Sequence, residues 1–184
     1  MKLNLSLNKR RKGFTLIEVL LVVGFIAIAS VGVYVIYNKV QTTNNANKEA
    51  KNLDLIRAGI KQLYSTQTSY AGLSNQIVNS ARITPENMTT SNNNQIVNSF
   101  GGSVTITPVS LNNGTNNAFR ITYERVPGEV CIKLASSVAA QFDQVTVNNT
   151  NIKPFGINRI NIANMTTACN EDTGAGVRMI FDSL

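Results

Sequence analysis

The sequence has no His and no Trp. Without His there is no imidazole base, no Ser/His/Asp triad and none of the commonest metal ligand. The ten acids are scattered along the chain, so they form no paired acid and base, and neither a catalytic site nor a cofactor is expected. No metal is expected either. Two Cys without His make a poor zinc site, and Glu171-Asp172 fall short of the about six to eight oxygens that calcium takes. Acids are also missing from the N-terminus: none precedes Glu18, whereas Lys2, Lys9, Arg10, Arg11 and Lys12 all precede Phe14. The rest of the chain carries twelve basic and ten acidic residues, so most of the net charge of +7 sits in a short N-terminal tag. A nucleic-acid-binding body would spread that charge over a folded surface, and no nucleic-acid partner is expected. The length of 184 residues suits one domain and an appendage.

The chain does contain a long apolar run, FTLIEVLLVVGFIAIASVGVYVIY, 24 residues from Phe14 to Tyr37 whose one charge is Glu18. As a helix it spans about 36 Å, enough for a hydrocarbon core of roughly 30 Å. Cations stop at Lys12 and resume at Lys39, so the positive-inside rule places the N-terminus in the cytoplasm and the remainder across the membrane. Read as a secretory signal peptide, the run offers Ala27-Ile28-Ala29 as a cleavage site before Ser30. The apolar stretch continues past that point, however, and holds an acid in its core. A plain signal anchor explains the length and the basic flank, but it leaves Glu18 as an uncompensated cost of about 2.5 to 3.5 kcal/mol.

The residues Lys12-Gly13-Phe14-Thr15-Leu16-Ile17-Glu18-Val19-Leu20 resemble the N-terminal signature of type IV pilins and their relatives. The resemblance implies that a dedicated prepilin peptidase cuts after Gly13 on the cytoplasmic side and methylates the new amine of Phe14. It also implies that Glu18 pairs with the terminal amine of a neighbouring subunit as a filament assembles. A carboxylate and an amine in oil are each costly alone and less so together, and such a pair fixes axial register between helices. On this reading residues 1–13 are a leader peptide, and 14–38 are the transmembrane and assembly half of a long helix.

No Pro occurs before Pro85, and 39–65 reads as the amphipathic half of the same helix. Leu53, Ile56, Ile60 and Leu63 fall at intervals of three and four, an apolar stripe beside Lys48, Glu49, Lys51, Asp54, Arg57 and Lys61. Such a stripe requires a partner surface. Gly24 and Gly32 each lower helix propensity by about 1 kcal/mol relative to Ala, and they suit close contacts between membrane helices. From 66 to 184 the composition turns to Asn, Thr, Ser and Gly, as in a globular head. Ala71–Ala81 and Leu134–Phe142 read as short helices. Ser103–Val109, Ala118–Tyr123, Glu129–Lys133, Gln144–Val147 and Val177–Phe181 read as strands. An antiparallel sheet laid on the helix would bury the stripe, which makes the class α+β; the resemblance implies the type IV pilin fold with an α/β-roll head. The hexapeptide NQIVNS occurs at Asn75–Ser80 and again at Asn94–Ser99, too few copies for a solenoid. The runs Asn92-Asn93-Asn94 and Asn112-Asn113-Gly114 read as turns.

Cys131 and Cys169 both lie on the side placed outside the cytoplasm, where oxidation is permitted. A bridge between them would contribute about 4 kcal/mol on the chain-entropy account. In the family resembled, a C-terminal disulfide delimits the variable surface, which implies a region bounded by 131–169. The stretches Asn98-Ser99-Phe100-Gly101-Gly102-Ser103-Val104 and Ala118-Phe119-Arg120-Ile121-Thr122-Tyr123 resemble the type IVb branch, especially the major subunits of thin conjugative or enteric pili. Phe14 as first mature residue and a leader of this length are closer to the type IVa habit. The implied function is that of a structural major subunit. It would be a precursor in the bacterial inner membrane, then a helical homopolymer in an extracellular pilus, served by the prepilin peptidase and the pilus assembly machinery. The filament would mediate attachment, aggregation or mating contact with a host or recipient cell surface. The alternatives are a minor pilin or type II secretion pseudopilin, and a membrane-anchored extracytoplasmic binding protein.

Overall fold

The structure, a computed structural model, describes residues 13–90 and 95–184. All of the expected leader except Gly13, and the run Asn92-Asn93-Asn94, therefore lie outside the described residues. Contacts divide the chain into two units, Met1–Val40 and Gln41–Leu184. Helix α1 (Leu16–Leu63) begins in the first and ends in the second. Its start is capped by Thr15, whose hydroxyl accepts the Glu18 backbone N–H at 3.3 Å.

In the second unit, α1 buries Ala46, Leu53, Ile56 and Ile60, positions separated by seven, three and four that share one face of a helix. The stripe ends earlier than its spacing predicts. Leu63 is 44% exposed, because it is the last residue of α1 and the chain turns away there. The ring of Tyr64 covers the end of the core instead, packing on Tyr70 at 5.2 Å between centroids, and Tyr70 in turn meets Phe119 at 5.0 Å.

The remaining elements are α2 (Asn75–Ser80), β1 (Ile96–Val97), β2 (Ser103–Val109), β3 (Ala118–Val126), α3 (Gly128–Val138), β4 (Gln144–Val147), β5 (Thr150–Lys153), α4 (Ile162–Asn170) and β6 (Val177–Ser183). Among the described residues the strands form one six-stranded sheet in the order β1-β2-β3-β6-β4-β5, and every pairing is antiparallel. Ile106 pairs with Ile121, Ile121 with Phe181, and Phe181 with Val145. A row of buried side chains thus crosses four strands on one face, and each such side chain contributes about 1.5–3 kcal/mol. Arg120 on β3 donates through Nε and Nη2 to both carboxylate oxygens of the buried Asp182 on β6, at 2.7 and 2.8 Å. This fork ties the central pair on the opposite side.

The α+β class and the antiparallel sheet are as expected, and four of the expected strands are present. Glu129–Lys133 is a correction: it is the first half of α3 and not a strand. Glu-Val-Cys-Ile-Lys alternates over five residues, but Val130, Cys131, Leu134, Ala135 and Val138 are all buried, a helical spacing that the longer window would have favoured. The helix expected at Leu134–Phe142 is the second half of α3 followed by a 3-10 turn at Ala139–Gln141. The expected Ala71–Ala81 helix is confined to α2, because Ser74 caps it by accepting the Ile77 N–H. Helix α4 and strands β1 and β5 were not anticipated. The two NQIVNS copies also diverge. The first is α2. In the second, whose Asn94 lies outside the described residues, Ile96 and Val97 pair with Val104 and Ser103 as β1. Tertiary partners, rather than the hexapeptide, decide between helix and strand.

Candidate functional site

Gly13, Phe14 and Thr15 precede the helix without regular structure. The Gly13–Phe14 bond therefore lies before the helical hydrogen-bond ladder begins. A Cβ on Gly13 would meet nothing within 4 Å among the described residues, so no packing against them requires glycine there. Glu18 falls in the first turn of α1, where the helix dipole favours an acid and where an amine at Phe14 would be close in sequence.

From Phe14 to Val40 the large apolar side chains described are exposed, Phe14 at 83% and Ile28 at 78% among them. This part of α1 is long and apolar enough to cross a membrane by length and composition. An apolar surface of this extent is not left to water in a functional protein.

In the second unit, Cys131 of α3 and Cys169 of α4 form a disulfide, with Cα atoms 5.7 Å apart. Both are buried. The bonded pair holds two helices together, and between them in the chain lie β4, β5 and the segment that leads to α4, where Ile157 is 51% and Ile162, the first residue of α4, 62% exposed. Among the described residues no group of three or more His, Cys, Asp or Glu side chains is placed to hold a metal ion.

One acid was misplaced by the sequence. The residue type of Glu49 puts it on the polar side of α1, yet it is fully buried. Its Oε1 accepts the Ser99 backbone N–H at 2.8 Å, and its Oε2 accepts from Asn52 Nδ2 at 3.3 Å. The Tyr123 hydroxyl lies against it. Burial raises that phenol well above its ordinary range, and the Glu49 charge and hydrogen bond raise it further. Glu49 thereby joins α1 to the β1–β2 turn and to β3. In that turn Asn98 Oδ1 accepts the N–H groups of Phe100 and Gly102, each at 2.9 Å, while its Nδ2 donates to the Glu124 carbonyl at 2.7 Å. The signal was available in the spacing, since position 49 lies between 46 and 53 on the buried face.

Comparison with known proteins covers both units. Residues 8–34 match the family model described as the prokaryotic N-terminal methylation motif, and residues 43–182 match that described as PilS N terminal. The major structural subunit of the bundle-forming pilus from Escherichia coli O111:H- is 30% identical over 164 residues, 89% of this chain and 79% of that protein. The toxin coregulated pilin of Vibrio cholerae serotype O1 is 26% identical over 147 residues, 74% of this chain and 62% of that protein. In three dimensions the chain is similar to a type IV b pilin from Salmonella typhi, with a TM-score of 0.60 and 19% identity over 73% of this chain and 97% of that one. It is also similar to TcpA, a type IV pilin from Vibrio cholerae El Tor biotype, with a TM-score of 0.55 and 19% identity over 77% and 99%.

Proposed function

Because this chain belongs to the type IVb pilins, structural subunits of pili, we propose the route by which it becomes one. The prepilin peptidase cuts between Gly13 and Phe14 and methylates the Phe14 amine. The Phe14–Tyr37 segment holds the processed chain in the inner membrane until the assembly machinery transfers it to the filament. There the segment exchanges lipid for the same segment of neighbouring copies, so its apolar surface stays covered throughout. Glu18 of one copy accepts the charge of another copy's Phe14 amine and sets the axial step. The finished pilus lies outside the cell with this chain as its main subunit. The 131–169 region then supplies the surface for aggregation, attachment or mating contact.

The observation that carries this reading is a single carboxylate, Glu18, in the otherwise uncharged and exposed Phe14–Tyr37 segment of membrane-spanning length. Leaving it unpaired in oil would cost about 2.5 to 3.5 kcal/mol, and the amine created by the cut is the partner chemistry it needs. The test is Glu18→Ala in a cell carrying the assembly machinery. The variant is expected in the membrane fraction at normal level, with filaments absent from shear-released material; normal filaments would count against the pairing. Mass analysis of wild-type filaments is expected to begin at N-methyl-Phe14, whereas a start at Ser30 would return the signal-peptide reading. Electron microscopy of the same material separates a major subunit from a minor pilin or a pseudopilin by whether this chain is the bulk component.

A further inference from the structure

Asp172, three residues beyond Cys169, reaches back to Gly128, three residues before Cys131. Its Oδ2 accepts the Gly128 N–H at 3.0 Å, and its Oδ1 accepts those of Gly174 at 2.8 Å and Gly176 at 2.9 Å. One carboxylate thus gathers the first residue of α3, the loop after α4 and the residue that leads into β6. Two of the glycines are there for closeness. A Cβ on Gly128 would lie 2.5 Å from the Cys169 carbonyl oxygen. One on Gly176, where φ is +77°, would lie 2.4 Å from the Arg125 carbonyl carbon.

We propose that Asp172 is a second closure of the 131–169 region, released by acid as the disulfide is released by reduction, and that either closure alone keeps α3 and α4 docked. The two are concentric: the segment that Gly128 and Asp172 enclose contains the one that the cysteines enclose. They also fail under different conditions, so a chain whose cysteines have not yet been oxidised already has this surface in its final shape.

The charged groups sharing the Asp172 cleft are Glu129 of α3 and Arg125 of β3, with Glu171 beside it in the chain; α1 contributes the uncharged Thr42 and Asn45. The three backbone donors, Gly128 foremost, hold the Asp172 carboxyl below its ordinary range. A carboxylate with a depressed folded value stabilises at pH above the unfolded value of about 3.9, and that contribution is lost as pH falls through the lower folded value.

The experiment measures amide-exchange protection of α4 in the full chain in detergent, with β3 and β6 amides as the internal reference. Asp172→Asn with the disulfide intact is expected to change α4 protection by less than about threefold. In the Cys131→Ala/Cys169→Ala background, Asp172 is expected to preserve α4 protection at about pH 6 and lose it as the pH is lowered below about 4. Adding Asp172→Asn to that background is expected to lower protection about ten- to a hundredfold at pH 6 as well. Failure of the cysteine-free chain to protect α4 at pH 6 with Asp172 present, through unfolding or otherwise, would show that this closure does not suffice. Undiminished protection after Asp172→Asn in that background would show that it bears nothing. Either result overturns the proposal, and neither bears on filament assembly.

Discussion

Glu18 and Glu49 are two acids on one helix in opposite circumstances. Glu18 is exposed and is the one charge in an apolar run, and on the proposed route its partner is the amine of another copy. Glu49 is buried and satisfied within its own unit by Ser99, Asn52 and Tyr123. Glu49→Ala is expected to leave the Ser99 N–H without its acceptor, while the Tyr123 hydroxyl keeps the Met88 sulfur at 3.8 Å. It should lower stability by about 1–3 kcal/mol, read by chemical denaturation, and Glu49→Gln should cost less because it keeps one oxygen. The sequence disclosed the first acid and concealed the second for the same reason. A charge is conspicuous where everything around it is apolar, and it looks ordinary among Lys48, Lys51 and Asp54. At position 49 spacing outweighs residue type.

At the scale of elements, the long helix was legible because forty-odd residues of consistent pattern outvote any local exception. Strands β2 and β4 were legible because their alternation is bounded by turn residues. Short windows failed where a five- or six-residue pattern is compatible with two periods, as at Glu129–Lys133, or where its partners lie far off in sequence, as in the second NQIVNS copy. Helix α4 was hidden by polarity: Met165, Ala168 and Cys169 are its only buried residues, and its cap, the Asn161 side chain accepting the Asn164 N–H at 3.1 Å, sits among many Asn. The stripe on α1 gives a graded test. Ile60→Ala is expected to cost about 2–5 kcal/mol, whereas Leu63→Ala, at an exposed helix end, should stay within about 0.5 kcal/mol. Equal losses at the two positions would contradict the placement of the helix terminus.

For the whole molecule, the pilin signature and the two cysteines carried most of the functional reading, because each depends on few residues at fixed separations. Sheet order was out of reach, since it depends on which distant strands find one another. The consequence is testable at β6. Its backbone bridges β3 and β4, its Phe181 lies tilted against Phe142 at 5.1 Å, and Asp182 receives Arg120. Ending the chain after Gly176 is expected to abolish the soluble head, seen as loss of protease-resistant material. A folded truncated head would refute the central position of this strand.

That position also imposes a schedule on biosynthesis. The strand made last of those described is the one that joins β1-β2-β3 to β4-β5, so β3 and β4 each keep a bare edge until Val177–Ser183 is made. Bare edges recruit other chains. On the proposed route, copies delivered side by side into one membrane are therefore most prone to sticking together in the moments before this seven-residue strand arrives, and a pause in delivery there would cost more than one anywhere earlier.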